Sequence, residues 1–245
     1  MWDVSETYKS LLIDEGHYFE YSIAFGNTTA DNGYKEDDLV NVEAVYKSFS
    51  EERPSVGGCL SAELTVEMFT PLETIPRMAK VRPYVRVTNG AQTSEWVPQG
   101  VFWIDTREST KNDDERDVTT FHAYDGMMKA ETDYSGTSLN WPAADVDVVE
   151  EIAAKLGVGV DDRTWDVMTR GYEITLPAGF TLREVLSNIA AMYAGNWVMN
   201  YNGDLLLVAL NGIPPETNYL ISETSDSITF GEFVVGDGEE TRILV

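Results

Sequence analysis

Two histidines, one cysteine and 42 carboxylates are the residues with which this chain could do chemistry. A catalytic zinc or iron centre usually gathers several imidazoles, and His17 and His122 are the only two present. A Ser-His-Asp or Cys-His arrangement would have to recruit one of them. His122 lies in the alternating run Val118-Thr119-Thr120-Phe121-His122-Ala123-Tyr124, where a strand-borne structural histidine is expected ahead of a general base. Cys59 stands alone, which excludes an internal disulfide and a cysteine-rich zinc site.

Carboxylates are so numerous that pairs such as Asp161-Asp162 carry no signal by adjacency. A glycosidase needs two acids set across a sugar site, a geometry that spacing cannot show. No phosphate-cradling glycine loop, nucleophile elbow or paired-histidine motif occurs. Asp113, Asp114, Glu115 and Asp117 miss the spacing of a calcium loop and read as a solvated hairpin tip. The chain therefore reads as a non-enzyme, with no catalytic, metal or cofactor residues to assign. The one patterned charge is the stripe Lys80, Arg82, Arg86, which projects from one side of a single expected strand. It is either an ordinary wet sheet face or a subunit contact in which a basic strip meets a neighbour's acidic surface. Trp103 and Trp197 are expected in the core.

The elements that would position these residues are mostly strands. Residues 5–13 suggest a short helix opened by Ser5. Residues 18–25 and 39–49 read as strands, separated by a polar loop. Leu60, Ala62, Leu64, Val66 and Met68 alternate with polar partners, the pattern of an antiparallel strand with one buried face. Residues 81–88, 96–106 and 118–124 continue the series, which predicts five to seven antiparallel strands in a barrel or sandwich. The character changes from Asp125: a helical turn over 125–131, a helix over 145–156 closed by Gly157, and a capping box at Thr181-Leu182-Arg183-Glu184. Asn202-Gly203 then joins two apolar runs as a hairpin. After Pro214-Pro215, strands return, with cores at 227–235 and 242–245. The expected fold is α+β and mainly antiparallel β. A barrel-like domain of residues 1–135 plus 218–245 receives a small inserted α+β domain, residues 136–217.

The net charge is −25, with 12 basic and 25 acidic residues in 1–135 and 5 and 17 in 136–245. Such spread acidity repels phosphate backbones and argues against nucleic-acid binding, while allowing a surface past which DNA slides. No run approaches the roughly 20 apolar residues of a membrane span. The N-terminus lacks the basic start and apolar stretch of a signal peptide, so a soluble protein made in the cytoplasm is expected.

Three stretches in order resemble the tail-tip or baseplate hub proteins of phages and prophages, a likeness spanning about residues 18–235. They are Gly100-Val101-Phe102-Trp103-Ile104-Asp105, then Thr120 to Lys129 with its Tyr124-Asp125 turn, then 181–210 with Asn196 and Asp204-Leu205-Leu206. The resemblance implies a homotrimer at the virion tail tip, assembled in the host bacterial cytoplasm. It implies contacts with the distal tail or tube protein and with a fibre or lysin, DNA only passing through the lumen, no membrane insertion and no cofactor. Hubs of that family often continue into a second tube domain, whereas this sequence stops at Ile243-Leu244-Val245, which reads as an interrupted strand. The rival readings are a carbohydrate- or receptor-binding module of a tail, and a cell-wall hydrolase.

Overall fold

The computed structural model describes residues 4–47, 49, 54–111 and 116–210, together with the backbone of 219–221 and 227–229. Helix α1 (Glu6–Leu12) opens with Ser5, whose hydroxyl accepts from the Tyr8 amide at 3.0 Å. Strands β1 (Tyr18–Phe25), β2 (Leu39–Val45), β3 (Glu63–Met68), β4 (Lys80–Thr88), β5 (Val97–Pro98), β6 (Phe102–Lys111) and β7 (Asp117–Asp125) form one antiparallel sheet. Its order is β1-β4-β6-β7-β3-β2, with β5 alongside β4.

Alternation explains the sheet's inner face. Leu64, Val66 and Met68 are buried while Glu63, Thr65 and Glu67 remain half-buried. With Ile23, Val81, Phe102, Ile104, Phe121 and Ala123 they make one apolar cluster, each side chain larger than alanine contributing roughly 1.5–3 kcal/mol by leaving water. The expected class, α+β and mainly antiparallel, is what forms. The barrel does not close: β1 and β2, the two edges, share no ladder, so the sheet is open along that seam. The strand expected over 96–106 is divided because Gly100 adopts φ +143°, where any Cβ would lie 2.5 Å from the Phe102 ring. The acidic tip at Asp113, Asp114 and Glu115 lies outside the described residues.

Beyond β7, a short 3₁₀ turn (Gly126–Glu131) leads into β8 (Ala143–Ala144), α2 (Asp145–Leu156), α3 (Arg163–Val167), β9 (Glu173–Ile174), α4 (Leu182–Met192), β10 (Gly195–Met199) and β11 (Leu205–Ala209). Gly157 ends α2 in the left-handed conformation. The Thr181–Glu184 capping box opens α4, with both reciprocal bonds present. Leu182, Val185, Leu186 and Ile189 of α4 meet Val148, Val149 and Ile152 of α2 over Trp197 in a second apolar cluster. That cluster also takes Met127, Ala130 and Tyr134, which precede residue 136.

The β10–β11 hairpin turns through more than Asn202-Gly203, since the ladder ends at Met199↔Leu205. The side-chain oxygen of Asn200 accepts from the Asn202 and Asp204 amides at 2.8 and 2.9 Å and holds the loop. Two distant segments widen this hairpin. Residues 57–60 run parallel to β10, with Leu60 N–H on Trp197 O and Trp197 N–H on Gly58 O, each 2.8 Å. On the other side Leu205 N–H reaches Gly159 O and Asp161 N–H reaches Leu205 O, both at 2.9 Å.

Asp161 secures that second seam. Its carboxylate accepts from Arg163 Nε and Nη2 at 2.9 and 2.6 Å and from Asn200 Nδ2 at 2.7 Å. Arg163 above all, then Asn200, holds this carboxyl well below the usual carboxylate range. A depressed folded-state pKa contributes stability that is fully present above the unfolded value near ~4 and is lost as pH falls from there through the folded-state pKa. Arg163 is half exposed, so solvent reduces the effect to about 1 kcal/mol. Asp161→Asn should therefore be less stable than the parent by about that much at pH 7, by less at pH 2.5, and equal to it only once pH has fallen through the depressed folded-state pKa, read from urea midpoints.

Residues 1–210 form one compact unit and 211–245 a second. Within the second, β12 (Tyr219–Ile221) pairs antiparallel with β13 (Ser227–Thr229). The expected return of 218–245 to the first β-domain, with cores at 227–235 and 242–245, falls mostly on residues outside those described, as does Pro214-Pro215.

Candidate interaction surface

The basic stripe sits where alternation puts it, on the half-buried outer side of β4, yet its three members differ in what they touch. Register sets Arg86 opposite Glu20 of β1. Arg86 Nε donates to Glu20 Oε2 at 2.6 Å, and the guanidinium covers the Trp96 ring with 4.2 Å to its centroid. Arg82 Nη2 donates to the Gly26 carbonyl at 2.8 Å, clamping the turn after β1. Lys80 takes another course. The β4–β6 ladder places it opposite Trp103, and its Nζ stands 5.6 Å from that ring's centroid.

A fourth cation joins it from outside the stripe. Lys129, on the 3₁₀ turn after β7, brings its Nζ within 3.7 Å of the Trp103 centroid and 3.4 Å of the Leu156 carbonyl. Burial first and Lys80 second hold Lys129 below the ordinary lysine value. Sequence reasoning missed Lys129 because it looked for charge along one strand; the signal available was Lys129 following the Tyr124-Asp125 turn that leaves the strand beside Trp103. Trp103 itself is half-buried rather than core, whereas Trp197 is fully buried with Nε1 on Leu186 O at 2.8 Å.

The open seam supplies a second kind of surface. Tyr18, Phe19 and Tyr21 of β1 and Val40 and Val45 of β2 are exposed, so both sheet edges carry apolar groups that usually invite another strand.

The chemistry-bearing residues stay apart. His17 Nδ1 lies 2.6 Å from the Asp14 carbonyl, and His122, exposed on β7, stands 3.3 Å from Thr65 Oγ1. No group of three or more His, Cys, Asp or Glu residues is arranged to hold a metal among the described residues. A cleft of about 320 Å3 between the β2 end and the β10–β11 hairpin is lined mainly by apolar groups, including Tyr46, Leu60, Ala62 and Val198. Among the described residues that line it the one carboxylate, Asp125, is taken up by Ser61, Ala62 and Met127. Among the described residues no pair of acids faces across it.

Cys59 is no nucleophile either. Burial pushes its thiol up to about 11, against the smaller opposing pull of Ser187 and Arg183. At pH 8 only about one thiol in a thousand is then ionised. Alkylation by iodoacetamide should run roughly a hundredfold slower than for a free thiol, as timed by mass spectrometry.

No family model matches the sequence, and no curated protein matches it. Solved structures do. The tail protein from Neisseria meningitidis MC58 superposes with a TM-score of 0.51 at 11% identity, covering 77% of this chain and 51% of that one. The 43 kDa tail protein of prophage MuSo2 from Shewanella oneidensis gives 0.48 at 13% identity, covering 83% and 57%. This chain thus spans a little over half the length of these proteins, and the Neisseria superposition establishes a shared fold. Among the described residues no helix is long and apolar enough to cross a membrane.

Proposed function

We propose that this chain is a structural hub subunit of a phage or prophage tail tip or baseplate, with no catalytic role. Three copies would form a ring that joins the tail tube to the tip and lets DNA pass. The observation that carries this reading is the fold shared with the Neisseria tail protein. Two physical features support it. The sheet leaves no ladder between its edge strands β1 and β2, and the exposed apolar side chains along them are groups that a neighbouring subunit can cover. The net charge of −25 gives a lumen wall to which phosphate does not adhere. Its partners would be a distal tail or tube protein above and a fibre or lysin below, at the tip of a virion assembled in the bacterial cytoplasm.

Sedimentation of the full chain, followed by electron microscopy with a tail-tube protein, tests this. Trimers and rings capping the tube are the expected result. A chain that stays monomeric and ignores tube proteins overturns it, as does glycan turnover abolished by changing one carboxylate.

A further inference from the structure

We infer that Lys80 and Lys129, set around the indole of Trp103, form a socket for a carboxylate of a second copy of this chain. This rests on the ring reading above. The β4–β6 ladder places Lys80 opposite Trp103, and the β6–β7 ladder places Trp103 opposite Tyr124, one residue before the chain turns into the segment bearing Lys129. Trp103 packs over Gly126, where a Cβ would lie 3.5 Å from the indole, so the ring is fixed between the sheet and the turn. Two ammonium groups are thereby brought to one ring, at 5.6 and 3.7 Å.

Like charges so placed repel, and one cation over the ring would already secure the aromatic contact. A chain with 42 carboxylates and 17 basic groups could easily have given each lysine an acid. Arg86, on the same strand, has one in Glu20. Among the described residues neither Lys80 nor Lys129 meets a carboxylate. An anion arriving from outside relieves the repulsion and pairs with an ammonium beside a half-buried ring, where the pairing is stronger than on open surface. Charge complementarity names the occupant: every copy carries the −25 excess, so a neighbour in a ring offers carboxylates to this basic point.

The test mixes ¹⁴N- and ¹⁵N-labelled full-length chain and treats it with a carbodiimide, which couples an ammonium to a carboxylate only when the two touch. The expected result is mixed-isotope cross-links from Lys80 or Lys129 to an Asp or Glu. Lys80→Gln/Lys129→Gln, shown folded by circular dichroism, should associate about tenfold more weakly by sedimentation. If the parent chain assembles, yet yields no mixed-isotope link at either lysine and the double variant assembles equally well, the socket is wrong and the ring reading stands. Links from either lysine that form only when a tail-tube protein is added, and only to that protein, also overturn the second-copy occupant. A parent chain that never associates overturns both.

Discussion

Trp197→Ala should cost about 5 kcal/mol of folding stability, the largest effect expected of any single substitution here. Trp197 is 0% exposed and lies at the centre of the second apolar cluster. Truncating a buried tryptophan removes its transfer free energy and leaves a cavity, typically 3–5 kcal/mol together. The Leu186 carbonyl inside α4 also loses the Nε1–H that it accepts in addition to its helix bond. The backbone of the same residue pairs with Gly58 and Leu60, so the cavity opens directly beneath the layer that joins residues 57–60 to the hairpin. Trp197→Phe keeps most of the volume and loses the hydrogen bond, and should cost about 2 kcal/mol. Urea unfolding of the three proteins measures both. A Trp197→Ala protein within 1 kcal/mol of the parent would mean that α2 and α4 close over the site without the indole.

The contrast between what the sequence discloses and what it hides follows contact range. The alternation of Leu64, Val66 and Met68, the Thr181–Glu184 capping box and the Gly157 stop each depend on residues within a few positions, and each forms as read. Residues 54–58, with Pro54, Gly57 and Gly58, carry no periodicity. Their place beside β10 is set by Asn196, whose Oδ1 accepts from Gly58 N and whose Nδ2 donates to Ser55 O, both at 2.8 Å and about 140 positions away. The second strand was expected to reach residue 49 but ends at Val45, where its ladder with β3 runs out at Glu63. Apolar residues continue past that point, so pattern alone could not see the end. The basic stripe behaves likewise. Its common face is a period-two property and legible, whereas the partners that engage Arg82 and Arg86 come through the register with β1. The convergence of Lys129 on Trp103 needs two ladders and a turn.

Asp125→Ala should destabilise the chain by about 3 kcal/mol, because this carboxylate stitches β7, the start of β3 and the turn after β7 into one junction. It is 2% exposed. Oδ1 accepts from Ser61 Oγ at 2.9 Å and Met127 N at 3.0 Å, and Oδ2 accepts from Ala62 N at 2.7 Å. Alanine leaves two backbone amides without acceptors, each costing roughly 1–3 kcal/mol, offset in part by relief of burying the charge. Asp125→Asn keeps an acceptor for Ser61 and Met127 but turns an amino group toward Ala62 N–H, so about half the loss should remain. Acid separates this account from a simple ion-pair explanation. Burial, outweighing those three donors and the field of Arg183, raises the Asp125 pKa above the ordinary carboxylate value. A raised folded-state pKa means that the folded chain takes up the proton first. Asp125 then adds stability as pH falls through its folded pKa, fully so below the unfolded value near ~4. Asparagine lacks that gain, and every other carboxylate is common to both proteins. The gap between parent and Asp125→Asn in urea midpoint should therefore widen between pH 7 and pH 4. A gap that narrows on acidification would show that Asp125 is held as an ion by Arg183, reversing the order of the two effects.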